Sequence, residues 1–176
     1  MADRVVLFAD DANVYNGARR AFFDPRTDHY TLGNYDPCRL ANLIVDRRTP
    51  ALRHRELTDV RIYTGRPDPY RQPVRAAEHD KLASVRQAAG ATVIARPLRY
   101  LNGKGQQKGV DVAMAIDIVT MAIDGLYDVG LVASTDTDLK PALEYIVRKC
   151  PQAHVEVLGW RSPLYQGHVP SSGVNR

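Results

Sequence analysis

Five apolar runs recur along the chain, at Arg4–Ala9, Asp59–Thr64, Thr92–Arg96, Val129–Ser134 and His154–Leu158. Longer amphipathic segments separate them, at about Asn13–Phe22, Pro37–Arg47, Arg71–Ala89, Gly109–Leu126 and Leu139–Lys149. Apolar runs alternating with helical periodicity, in this order, predict an α/β fold: a mainly parallel five-stranded sheet covered by helices. Pro37 falls at an early helical position and Gly90 where a helix C-cap belongs, which is the usual punctuation.

Two stretches resist regular structure. Asp24–Asp36 carries Pro25, Gly33 and Asn34 with Tyr30 and Tyr35, and reads either as a lid or substrate-contacting arm or as a plain surface loop with two half-exposed tyrosines. Residues 161–176, rich in Pro, Ser and Gly, read as a loosely ordered tail behind a single domain spanning residues 1–160.

With 176 residues the chain is long enough to bury its own core, roughly 70% of the unfolded surface, without a disulfide or metal scaffold. Its 44% apolar and 25% charged residues are those of an ordinary soluble protein and exclude a mainly disordered one. No apolar run approaches the ~20 residues needed to cross a bilayer, so no membrane association is expected. The opening Met1–Asp10 turns acidic too soon for a signal peptide, which predicts a cytoplasmic protein. The two cysteines, Cys38 and Cys150, stand far apart and outside any metal-ligand spacing, which suits a reducing compartment and argues against zinc.

A net charge of +4 permits a polyanionic partner without requiring one. Placement is more informative. Basic residues gather in connecting stretches: Arg47, Arg48, Arg53, His54 and Arg55; then Arg66, Arg71 and Arg75; then Arg96, Arg99, Lys104 and Lys108. Several acidic residues instead stand at the ends of apolar runs. In an open parallel sheet, ligands bind at the carboxyl ends of the strands. The first run delivers Asp10 and Asp11 to that edge, and the fourth delivers Ser134-Thr135-Asp136-Thr137-Asp138. Carboxylates brought together must shift their pKa values or share a hard cation such as magnesium or manganese. Taken singly, Asp138 reads equally as a helix cap and Asp10 as a strand terminator.

On the helix from Gly109, Asp117, Thr120 and Asp124 form one polar stripe at i, i+3, i+7. Asp111 lies about 120° away, flanked by Val110 and Val112, on an apolar side where a carboxylate needs compensation. The helix dipole offers roughly 0.3–1 kcal/mol. The preferred reading is that the first turn points Asp111 into the crevice of Asp10 and Asp136, with Asp117 a polar-face residue or a support for the cluster.

The stretch Gly103–Gly109 is glycine-rich and basic, but Lys108 occupies the third glycine position of GxGxxG and no GK[ST] follows. It reads as a flexible loop at a helix N-terminus, either competent to hold a phosphate or simply solvated. A receiver domain is excluded, since neither the second nor the third run ends in an aspartate. Nucleophile–base hydrolase chemistry lacks a GxSxG.

Taken together, three blocks resemble the NYN domain, the LabA-like branch of the PIN-like nucleases. They are Leu7-Phe8-Ala9-Asp10-Asp11-Ala12-Asn13-Val14-Tyr15, Lys108-Gly109-Val110-Asp111 through Asp117, and Leu131-Val132-Ala133-Ser134-Thr135-Asp136-Thr137-Asp138 through Leu143. The resemblance implies a three-layer α/β/α, PIN-like or Rossmann-like fold and metal-dependent hydrolysis of phosphodiester bonds, mostly of RNA. Carried over, Asp10, Asp111, Asp136 and Asp138 are the metal-binding carboxylates for Mg²⁺ or Mn²⁺. Asp11, Asn13, Ser134 and Asp117 support them. Asp11-Ala12-Asn13 also fits the D-x-N register of conventional PIN domains, so Asp10 and Asp11 both stand as the first ligand.

The expected activity is that of a metal-dependent endoribonuclease on single-stranded or structured RNA. Lys104, Lys108, Arg66 and Arg99 contact phosphates, and Tyr15, Tyr30 or Tyr35 stacks on unpaired bases, although core packing accounts for Tyr15 as well. The alternative is a non-catalytic RNA-binding or regulatory module of the same fold. A DNA-directed 5′ nuclease would need a helical arch for which there is little spare length. A homodimer is compatible with the sheet's exposed faces or edge.

Overall fold

The computed structural model describes residues 2–24, 26–48 and 54–161. The chain is an α/β protein in which a five-stranded parallel sheet is flanked by helices on both faces. In chain order the elements are β1 (Asp3–Asp10), α1 (Asp11–Phe22), α2 (Pro37–Arg48), β2 (Arg55–Arg66), α3 (Pro73–Ala88), β3 (Thr92–Pro97), β4 (Arg99–Leu101), β5 (Lys104–Gln106), α4 (Val110–Ile123), β6 (Val129–Ala133), a single 3-10 turn (Thr137–Leu139), α5 (Lys140–Lys149) and β7 (His154–Val157). The sheet order is β3-β2-β1-β6-β7, every neighbouring pair parallel. The chain leaves β1 in one direction toward β3 and returns to build β6 and β7 on the other side. The β1/β6 junction is therefore the switch point, where the carboxyl ends open a crevice.

β1 is the central strand, and its side chains go alternately to two cores. Val6 and Phe8 pack with Tyr63, Val110, Met114, Ile118, Leu143 and Ile146 under α4 and α5. Val5, Leu7 and Ala9 pack with Val14, Ala41, Val45, Ile62 and Leu131 under α1 and α2. α3 lies beside α2, the Ala89 carbonyl accepting a weak bond from the Cys38 thiol at 3.5 Å. Phe8 meets Tyr127 edge-on at 5.5 Å. Gly130 leaves room for that ring, since a Cβ there would stand 3.0 Å from Tyr127 Cε2.

All five predicted strands and five helices are present, with shifted ends. Helix α3 closes on Gly90 at φ +95°: the Gly90 and Ala91 N–H groups donate to the Gln87 and Arg86 carbonyls, a Schellman motif. β2 begins four residues before the predicted start because Thr58 is an extra residue, β1 pairing Val5 with Leu57 and Val6 with Asp59. The Thr58 hydroxyl donates to the Val5 carbonyl. Such a bulge breaks the period-two pattern by which a strand is read.

One expectation is corrected and one pair of alternatives is resolved. The basic stretch before α4 is not a loop throughout: β4 and β5 pair antiparallel across Asn102 (φ +49°) and Gly103 (φ +76°), a two-residue turn with both central residues left-handed. Of the two readings of the stretch around residues 26–36, the structure agrees with the surface loop, which is tied down by side-chain bonds, and not with a lid or arm. The Arg19 guanidinium donates to the His29, Leu32 and Asp28 carbonyls, and the Tyr15 hydroxyl donates to that of Tyr30. Pro25, Arg53 and the tail beyond Arg161 lie outside the described residues. Just before the tail, Trp160 lies across α1, its Nε1–H donating to the Val14 carbonyl at 2.8 Å over Gly17. Among the described residues no helix is long and apolar enough to cross a membrane. Both cysteines are free.

Phe8 is fully buried between β1 and α4. Phe8→Ala is expected to lower the unfolding free energy by about 3–5 kcal/mol, read from denaturant midpoints at unchanged m-value.

Candidate functional site

β1 passes into α1 without a loop, so the strand's last residue is also the helix N-cap. Asp10 sits there, 6% exposed, its carboxylate accepting from the Asn13 N–H at 3.0 Å. Its strand parity is that of Val6 and Phe8, toward the α4 face. Burial raises its pKa, the capping N–H groups pull it back, and the charges of Asp111 and Asp11 raise it further. Asp111 lies in the first turn of α4. Its pKa is raised by burial and by the charges of Asp136 and Asp138. The four carboxylates thus share one electrostatic neighbourhood at the switch point.

The β6 end is built by short polar contacts. Asp136 caps the 3-10 turn by accepting from the Asp138 N–H at 2.9 Å, and the Asp136 N–H donates to the Ser134 hydroxyl at 3.2 Å. Asn13 Oδ1 accepts from both the N–H and the hydroxyl of Thr135, at 3.1 and 3.2 Å. Asn13 therefore ties the start of α1 to the β6 loop, and Ser134 shapes that loop. Asp138 stays exposed.

Among the described residues none of these four carboxylates is ion-paired. Six other acids near the sheet are: Asp128 with Arg4, Asp59 and Asp117 with Arg61, Asp80 with Arg66, Glu156 with Arg55 and Asp11 with Arg86. As they stand, no three carboxylate, imidazole or thiol residues among the described ones are grouped to hold a metal ion. The donors are hard oxygens, three of the four residues exposed or half-exposed, and that chemistry fits Mg²⁺ or Mn²⁺ rather than zinc.

The remaining predicted residues separate from this group. Asp11 turns to the opposite face, its carboxylate 2.8 Å from Arg86 Nη2 and 3.4 Å from the Thr64 hydroxyl. Asp117 is held by Arg61 and the Tyr63 hydroxyl, each at 2.8 Å, and supports the sheet rather than the cluster. Arg66 forms a two-pronged pair with Asp80 at 2.7 and 2.8 Å, so its charge is already neutralised. Lys104 and Arg99 are exposed on the β4–β5 hairpin, and Lys108 is exposed just before α4. Tyr100 seats the hairpin, accepting from the Asp68 N–H at 3.0 Å under the Arg71 guanidinium.

Sequence reasoning missed Arg86, Thr64, Gln107 and Thr135. With Asp11, Ala12, Tyr15, Asn34, Tyr35 and Leu82, the first three line a cleft of about 190 Å³. Tyr35 is half-buried as a residue, with its hydroxyl shut off from solvent and Arg86 5.5 Å over its ring. The Asn102-Gly103 pair was the available signal for the hairpin.

A carboxyl whose folded pKa stands above its unfolded one binds its proton more tightly when folded. Its contribution to stability therefore falls as pH rises from the ordinary carboxylate range through the folded value, and the cost is fully present at neutral pH. Asp10→Asn removes that charge and keeps a good N-cap. In chelator at pH 7 the substitution is expected to raise the unfolding midpoint by about 2–4 °C, the equivalent of roughly 1 kcal/mol in a chain of this size, with the gain vanishing near pH 3. Thermal melts across that pH range check it.

The NYN domain matches residues 4–170, nearly the whole chain. No curated protein matches. Among solved structures, a protein of unknown function from Vibrio parahaemolyticus is similar in fold, with a TM-score of 0.56 at 20% identity over 89% of this chain and 80% of that one. NYN and other PIN-like nucleases usually use divalent metals. The chain belongs to the NYN domain family, a PIN-like, nuclease-type domain.

Proposed function

We propose that the protein is a metal-dependent endoribonuclease that hydrolyses RNA phosphodiester bonds, with Asp10, Asp111, Asp136 and Asp138 holding Mg²⁺ or Mn²⁺. The observation that carries this reading is the set of four carboxylates without an ion pair, among the described residues, at the β1 end, the first turn of α4 and the β6 loop, where the pKa values of Asp10 and Asp111 are raised by burial and by the neighbouring carboxylates. A divalent ion held there supplies a water of lowered pKa and positive charge for the phosphate oxygens. Asp10 is the first ligand in preference to Asp11, whose charge Arg86 already meets.

The chain's own residues hold the arrangement. Asn13 clamps α1 to the β6 loop, so Asp10 and Asp136 keep a fixed relation, and Ser134 fixes the backbone of Asp136. Asp136 accepts the Asp138 N–H on Oδ1, and Asp10 is oriented by the N–H groups at the start of α1. Lys104 and Arg99 are exposed on the hairpin and Lys108 just before α4, available to attract the phosphate backbone without reading sequence. Arg66 is not counted with them, being engaged by Asp80.

A second reading, an RNA-binding module that does not cut, is favoured by one observation: no three ligating groups among the described residues are already gathered for an ion. End-labelled single-stranded RNA separates the two. Wild type is expected to cleave it with Mn²⁺ or Mg²⁺ and not with chelator. Asp136→Asn, which keeps the cap, is expected to lose at least about 100-fold in rate, the upper range found for merely outer-shell partners of metal sites, while retaining RNA affinity. Cleavage undiminished in Asp136→Asn sinks the site assignment, and binding without cleavage in any metal leaves the module.

Metal and salt provide two further measurements. Mn²⁺ at 100 times its dissociation constant is expected to stabilise wild type by about 2.7 kcal/mol and Asp10→Asn much less. Removing Lys104 and Lys108 together is expected to flatten the slope of log affinity against log salt by about 1.4, at about 0.7 per phosphate contact on a single strand.

A further inference from the structure

The cleft on the Asp11 side of the switch point has a different chemistry from the carboxylate crevice next to it. Its two charged groups, Asp11 and Arg86, pair at 2.8 Å through Arg86 Nη2, and the Arg86 side chain is only 8% exposed, its buried Nε without a hydrogen-bond partner. The pair is internally neutral, so the cleft favours neither a phosphate nor a cation. What remains on its walls is neutral: the rings of Tyr15 and Tyr35, the Leu82 side chain, the Thr64 hydroxyl and the amides of Asn34 and Gln107.

Two further features show that these walls are placed. Gly65, at the end of β2, lies under Gln107, whose Cγ would stand 2.7 Å from a Cβ there. Gly33, at φ +115°, lets the chain before Asn34 close on Arg19 and Tyr15, whose atoms would stand 2.6 and 3.4 Å from a Cβ. The Tyr35 hydroxyl is buried beside the Asp11 carboxylate, which fixes the ring as one wall of the cleft.

We propose that this cleft takes one unpaired nucleobase of the bound RNA strand, next to the phosphate that lies at the Asp10 side of the same strand–helix junction. The assignment rests on the RNA reading above. At about 190 Å³ the cleft is smaller than the roughly 300 Å³ at which sites for drug-sized ligands begin, so it admits a single ring system. Side-chain amides offer a donor and an acceptor each, as base edges require, and the aromatic and leucine walls suit a flat π-face. Asp11 directly follows Asp10 in the chain, which puts base and phosphate on either side of one backbone turn.

The test is equilibrium binding of short single-stranded RNAs by fluorescence anisotropy, in chelator so that no cleavage intervenes. Homopolymers of the four bases and a strand carrying one abasic position, moved along its length, serve as ligands. Wild type is expected to show about a tenfold spread among bases, and about tenfold weaker binding when the abasic position falls at one particular place. Asn34→Ala with Gln107→Ala, both at exposed positions, and separately Leu82→Trp, which fills the cleft, are expected to reduce both effects to within about twofold at unchanged salt dependence. Melting midpoints verify that the variants fold. Base-independent wild-type binding, or a preference that survives both variants, overturns the subsite and leaves the RNA reading standing. Failure of any RNA to bind at low salt overturns both. A free nucleoside monophosphate that displaces the strand at micromolar concentration overturns the assignment to a strand and gives the cleft to a mononucleotide.

Discussion

A central parallel strand covered on both faces has nowhere to put a polar side chain except at its ends. β1 is such a strand: Val5 to Ala9 are all essentially inaccessible, and their side chains feed two separate cores. Past this buried run, at the carboxyl end, the first charged position is Asp10, and even there the residue is 6% exposed. Its neighbour Asp11 opens α1 and turns to the opposite face. One junction of two residues therefore serves two environments, a carboxylate crevice below α4 and a neutral cleft below α3.

The treatment of charge on the two sides differs in kind. On the α3 side an arginine meets the acid and the pair is buried together, which makes the cleft polar in shape and neutral in field. On the α4 side the acids face one another, and burial with mutual repulsion holds Asp10 and Asp111 above the ordinary carboxylate range. A fold selected for stability alone would put one of its arginines there, as it does for Asp117 and Asp80. An uncompensated set is stabilised by whatever cation it binds, and the cost is the expected signature of a site held for function.

How much of this was legible follows from which features are local. The positions of Asp10, Asp111 and Asp136 were readable because strand ends and first helical turns are fixed by periodicity, and the switch point follows from the order of elements. The partners of Asp11, Asp117 and Arg66 were not, because an ion pair between residues 14 to 75 positions apart depends on packing that no spacing encodes. Arg86 carries no local signal, because it is the chain before α2 that brings the Tyr35 ring against it. The start of β2 was hidden by the Thr58 bulge. The hairpin is a different case: Asn102-Gly103 is a local signal for a two-residue turn, overlooked because the glycines after it suggested a phosphate loop.

Fixing the stretch around residues 26–36 bears on how the two sides of the junction work together. Arg19 and Tyr15 hold it by side-chain bonds to four of its carbonyls, and both project from α1, the helix that Asp10 caps and that Asn13 ties to the β6 loop. α1 thus positions the Asn34–Tyr35 wall at one end and the crevice carboxylates at the other. Walls set by a helix and two bare glycines do not have to be ordered by the ligand, so less of its binding free energy is spent on immobilising side chains. The same rigidity fixes the separation between cleft and crevice, and a ligand that spans both must match a distance the protein does not adjust.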